Sequence, residues 1–186
     1  MLLERIYTYR KGAGVRWTPL AKQEAPTEPE GETTNKTEVQ IMKNIFEETY
    51  KGIQEAKKAY NAASDKEGQE AARSIYRKVT ESLDGLSKME MKIWNYYEAA
   101  KDCGNEYIDI NDIIYDSEIE SLVTCMKECG IEAFTFSSTW SSAVETAWLF
   151  QKAGCTLAGL IEIHNQYKAF GTDEYETAHG YLFKVN

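Results

Sequence analysis

The residues of this chain best placed to do chemistry lie between Phe134 and His164. Ser137, Ser138, Thr139, Ser141 and Ser142 follow an apolar run, Phe134-Thr-Phe136, and precede an amphipathic one. This is the layout of a strand running into a helix N-terminus, where backbone N–H groups and the helix dipole favour anions. The turn contains no glycine and no lysine, so it matches neither a P-loop nor a dinucleotide fingerprint. A serine-rich cap without a ligand is the simpler reading, and a ligand turn is the sharper one. Glu162 and His164 stand two apart on a strand, so they share a face and could form an acid/base pair. No G-x-S-x-G nucleophile elbow accompanies them, and a partly exposed polar pair is the simpler expectation. Cys103, Cys125, Cys129 and Cys155 offer one C-x3-C spacing inside a helix rather than two short knuckles, so zinc is not expected and reduced, buried thiols are. Neither a metal nor a cofactor is called for.

Charge narrows the function classes. The formal net charge is -9, with 21 Lys and Arg against 30 Asp and Glu. Residues 103–186 hold 4 basic and 13 acidic side chains, so the excess belongs there. Such a surface repels phosphates and attracts basic proteins. Asp109, Asp112, Asp116, Glu118 and Glu120 are the acidic residues expected to face a partner. At the other end, Arg5, Arg10, Lys11 and Arg16 are interleaved with Tyr7, Tyr9 and Trp17, a pattern that can hold single-stranded nucleic acid. No apolar run reaches the roughly 18 residues of a membrane span, and residues 1–10 lack the apolar core of a signal peptide. A cytoplasmic location without membrane contact is the expectation.

The elements that must position these residues follow from periodicity. Residues 1–17 predict a small hairpin, and residues 18–36, with all three prolines, a linker. Residues 37–102 predict two long amphipathic helices, the second broken near Gly85. Capping boxes are expected at Asn35–Glu38, Ser64–Glu67, Ser87–Glu90 and Ser142–Glu145. Residues 103–186 predict a β-α-β-α-β-β domain. Its first three strands should run parallel, both helices should lie on one face, and the last two strands should form a hairpin around Gly171. The fold class is therefore α+β: a helical hairpin followed by a small sheet domain. Centring the hairpin on Gly171 pairs Leu157 with Val185, Gly159 with Phe183 and Ile161 with Tyr181. Leu157 and Phe183 then face the helices, and Trp140, Trp148 and Phe150 read as core and cap-packing aromatics.

The stretches Phe134-T-F-S-S-T-W-S-S-A-V-E-T-A-Trp148 and Leu157-A-G-L-I-E-Ile163 resemble a small uncharacterised domain of bacterial plasmid, conjugative-element and phage proteins. The resemblance covers roughly residues 103–186 and brings no catalytic residues with it. In size and charge the chain is also similar, in a general way, to anti-CRISPR inhibitors of host defence nucleases. That likeness implies a non-enzymatic protein that binds and inhibits a basic, nucleic-acid-binding partner such as a Cas nuclease. Two alternatives stand beside it. One is a nucleic-acid-binding accessory protein using the basic hairpin. The other is a small enzyme or ligand-binding domain at Ser137–Ser142.

Overall fold

Five helices accompany a four-stranded sheet in the computed structural model, which describes residues 32–111 and 115–186, with side chains from residue 42. The expected hairpin at 1–17 and most of the linker lie outside the described residues. The element order is α1 (Glu32–Ala62), α2 (Lys66–Thr80), α3 (Lys88–Cys103), β1 (Ile108–Ile110), α4 (Ile119–Glu128), β2 (Ala133–Phe136), α5 (Ala143–Lys152), β3 (Cys155–Lys168) and β4 (Tyr175–Val185). Short 3-10 turns sit at Glu81–Leu83 and Asp116–Glu118. This is the α+β class that periodicity predicts. Among the described residues no helix is long and apolar enough to cross a membrane.

The helical part has a sharp internal logic. Helix α1 begins at Glu32, ahead of the box expected at Asn35. No Gly or Pro stands between Gly31 and Asn35 to stop the helix extending backward. Helix α2 is capped by Asp65 rather than Ser64: its carboxylate accepts from the Gly68 N–H at 2.8 Å. The Ser87–Glu90 box forms in full, with Glu90 N–H donating to Ser87 Oγ and Ser87 N–H to Glu90 Oε2. Gly52 lets α1 approach α2 closely, since a Cβ there would lie 2.8 Å from the Val79 methyls. Helix α2 packs mainly on α1, so it buries only a narrow stripe with Ala72 at its centre. Ile75 and Tyr76 of the same helix are exposed. Helix α3 joins the main core through Ile93 and Trp94, with Phe46 of α1 5.5 Å from the Trp94 ring.

The sheet order is β1-β2-β4-β3. Strands β1 and β2 are parallel, and β4 is antiparallel to both β2 and β3. The first three strands thus run in one direction, as predicted, but β4 inserts between β2 and β3. Both crossovers step the same way across the sheet, so right-handed connections put α4 and α5 on one face. There Phe134, Phe136, Phe150 and Phe183 form a fully enclosed cluster, with Phe150 of α5 4.9 Å from Phe134. Helix α3 contacts both edge strands and approaches the opposite face, on which Asp109 and Thr135 lie.

The hairpin register differs from the expected one. Leu157 pairs with Phe183, Ile161 with Gly180 and Gly159 with Leu182. Centring on Gly171 assumes an uninterrupted ladder, whereas β3 carries irregularities between Leu157 and Gly159 and between His164 and Lys168. Each inserts residues into one strand and slips the pairing. Leu157 is exposed rather than under the helices, because β3 is the sheet edge. Trp140 and Trp148 are also not core: they are 68% and 59% exposed. The phase of α5 is set by Thr146 and Phe150, which are buried. Val144 and Trp148 stand two positions from them, about 200° around the helix, so the core claims Phe150 and turns the tryptophan outward. Ser142 makes no side-chain cap; in the same turn Ser138 Oγ accepts from the Trp140 N–H.

Candidate functional site

The site is built from the bottom of the sheet's second face. Asp109, the middle residue of β1, pairs in register with Thr135 of β2. Thr135 Oγ1 donates to Asp109 Oδ1 at 2.8 Å, and Ser137 Oγ donates to Asp109 Oδ2 at 2.6 Å. The Ser137 N–H continues the parallel ladder by donating to the Ile110 carbonyl. One carboxylate therefore ties the C-terminal ends of β1 and β2 together. Across from it, the end of α3 is fastened to β3. Asn105 Nδ2 donates to the His164 carbonyl at 2.7 Å, and the His164 N–H donates to Asn105 Oδ1 at 2.8 Å. Gly104, at φ 75°, lets the chain leave α3 in the left-handed conformation that brings Asn105 there. The Cys103 thiol donates to the Asn165 carbonyl.

Between these anchors lies a cavity of about 320 Å³. Tyr96 and Ala99 of α3 form one wall, Asp109, Asn111 and Ser137 the floor, and His164 and Ala178 the other side. Two buried polar atoms, the Tyr96 hydroxyl and Asn111 Oδ1, have no hydrogen-bond partner among the described residues. Tyr96 is only 8% exposed. Burial, reinforced by the charges of Glu118 and Asp109, pushes its phenol up to about 12. Burial likewise raises the Cys103 thiol, with Asp102 and Asp109 adding to it. No Lys or Arg lines the cavity. A wider cleft of about 810 Å³ opens near the start of β2, lined by charges of both signs such as Lys51, Glu106 and Lys184; neither unpaired atom borders it.

The structure divides the residues that the sequence singles out. Ser137, Ser138 and Thr139 line the cavity, while Ser141 and Ser142 are exposed and do not. His164 lines it, and Glu162 is exposed on β3 away from it. Of the acidic set, Asp109 is turned inward and engaged by Thr135 and Ser137. Glu118 is held 2.7 Å from Lys92, a contact that lowers its carboxyl below the ordinary range. Asp116 and Glu120 are exposed. Asp112, Arg5, Arg10, Lys11 and Arg16 lie outside the described residues. Cys125 and Cys129 are buried free thiols, 4.0 Å apart. No group of three His, Cys, Asp or Glu able to hold a metal occurs among the described residues. Tyr96, Asn105 and Asn111 were not legible as site residues. The spacing Ile93, Tyr96, Ala100 does place Tyr96 on the buried side of α3.

Residues 92–185 match the family described as a domain of unknown function, DUF7698. The chain belongs to that family. The matched segment of the DUF7698 domain begins within α3 and takes in all four strands, so it spans both walls of the cavity. No curated protein and no solved structure matches the chain.

Proposed function

We propose that this DUF7698 protein is a non-enzymatic cytoplasmic interaction protein whose acidic domain binds and inhibits a basic, nucleic-acid-binding partner, in the manner of an anti-CRISPR inhibitor of a Cas nuclease encoded on a mobile element. The observation that carries the reading is a set of outward apolar side chains on the acidic domain. Trp140, Val144 and Trp148 recur at four-residue intervals and are all exposed. Exposed tryptophans of this kind are the usual anchors of protein interfaces. The net charge of -9 that accompanies them selects a basic surface and competes with phosphate for it.

The test is direct binding of the full chain to purified Cas nucleases at low and high salt. Binding should weaken as salt rises. Trp148→Ala should weaken it about tenfold or more, and Asp116→Asn with Glu120→Gln should slow association. Binding that ignores salt and all three substitutions would exclude the reading. A second reading, a ligand-binding domain at the serine turn, is favoured by the cavity beside Ser137–Thr139. A nucleic-acid-binding role for Arg5, Arg10, Lys11 and Arg16 is separated from both by deleting residues 1–20 and measuring RNA and DNA binding directly.

A further inference from the structure

We infer that the outer edge of β3 is a self-association site, on which a second copy of this chain adds its own β3 in antiparallel register centred on Ile161. Strand β3 is the outer strand of the sheet, and Thr156, Leu157, Ala158, Gly159 and Leu160 are all exposed. The main chain shows where a further strand can bond. The His164 N–H and carbonyl point away from β4, because both are bonded to the Asn105 side chain. Direction alternates along an antiparallel ladder, so the N–H and carbonyl groups of Glu162 and Leu160 point outward as well. Elsewhere the edge is closed. Asn105 occupies it at His164, the Cys103 thiol takes the Asn165 carbonyl, and Asn186 takes the Gly154 carbonyl. The irregularity between Leu157 and Gly159 interrupts it from the other side. Between these stops lies an open window from Gly159 to Ile163. No lysine or proline, the usual guards of an exposed edge, stands between Cys155 and Gln166.

The window is complementary to itself. Leu160 and Glu162 flank Ile161, so a two-fold axis at Ile161 sets Leu160 opposite Glu162 of the partner copy and lets both exchange main-chain bonds. Ile161 then meets Ile161 of the partner copy at the closest spacing of the ladder, an apolar β-branched pair. Ile163 stands opposite Gly159, around which there is open space. An axis at Leu160 instead would set Glu162 against the interrupted ladder at Ala158 and leave its groups unbonded. The same interruption turns Leu157 and Leu160 to one face, where they pair with Phe183 and Tyr181. They are 41% and 59% exposed. The two copies of Leu160 meet diagonally on that face. Glu162 is the single charged residue from Cys155 to Ile163. Its two carboxylates lie on the other diagonal and set a modest repulsion against the pairing. An edge this short makes a small interface, so the dimer is weak and transient rather than obligate. Self-association at β3 does not depend on the basic partner proposed above.

The experiment is sedimentation velocity of the full chain over a wide concentration series at low and high salt. A reversible monomer–dimer equilibrium is expected. It should tighten as salt rises, because two copies of net charge -9 repel each other at low salt. Binding to a basic protein has the opposite salt dependence, so the two associations are told apart. Leu160→Pro removes an outward N–H that the fold does not use, and Leu160→Lys sets a charge beside the axis. Each should weaken the dimer about tenfold or more. Thermal unfolding in dilute solution identifies a variant that fails to fold, and the lysine variant keeps every main-chain group. Glu162→Gln removes the paired carboxylates and should tighten the dimer about two- to fivefold. Hydrogen exchange at the Leu160 and Glu162 amides should be fast in dilute solution and slow as the dimer fills. A monomer at every concentration and salt, a dimer indifferent to Leu160→Lys, or one that loosens as salt rises would overturn the assignment. Slow exchange at those two amides in the dilute monomer would overturn it too, since another segment of the same chain would then cover the edge.

Discussion

Replacing Tyr96 with phenylalanine should stabilise the free protein. The ring is 8% exposed and its hydroxyl has no partner among the described residues. Phenylalanine fills the same space and removes only the stranded oxygen. Leaving a buried hydroxyl unpaired costs about 1–3 kcal/mol. The neighbouring cavity, about 320 Å³, has room for water that offsets part of this. A gain of about 1 kcal/mol is therefore expected. For a unit of this size that corresponds to a rise in Tm of about 2–4 °C. Urea unfolding with an unchanged slope, together with calorimetry, measures it. The opposite result, a loss of about 1 kcal/mol or more, would mean that the hydroxyl is already satisfied. The cavity would then have no unmet group on its α3 wall, and the argument for a ligand there would fail.

Two further outcomes follow from the packing and the electrostatics. Phe150→Ala should cost about 3–5 kcal/mol, because Phe150 is fully buried among Phe134, Phe136 and Phe183; denaturant unfolding checks it, and a loss under 1 kcal/mol would refute the enclosed aromatic cluster. Alkali should destabilise the fold above pH 10. Burial and, for Tyr50, the bond to Asp102 push Tyr50 and Tyr96 up to about 12 from the ordinary 10. The folded state then holds protons that the unfolded state releases, so the stabilisation is complete below pH 10 and is lost as pH rises toward 12. Ultraviolet titration of tyrosinate should show a late-ionising group, and Tyr50→Phe with Tyr96→Phe should flatten the loss.

Much of the architecture was readable because it rests on local rules. The Ser87–Glu90 box, the break near Gly85 and the common direction of the first three strands depend on residues close in sequence. The boundary of the last helix was readable too, but its orientation was not. Trp148 and Phe150 are both large and apolar, and only the position of Phe134 and Phe183 across the sheet decides which one turns inward. The hairpin register failed for a similar reason. An inserted residue near Ala158 leaves no trace in the alternation of a strand as apolar as Leu157–Ile163.

The serine turn marks the limit of the sequence most clearly. Residue type and order alone determined that Ser137–Thr139 would stand at the end of a strand beside a helix start, because strand and helix periods change there. They also determined that the charge excess lies in residues 103–186, since charge is a sum over residues and needs no coordinates. Tertiary structure alone decided that three of the serine and threonine side chains would meet Asp109, Tyr96 and His164 around one cavity, and that Asp109 would leave the acidic surface to serve it. Those residues come from α3, β1, β3 and the turn that follows β2. The distances between them are set by how α3 crosses the sheet, a matter of long-range packing that no local pattern encodes.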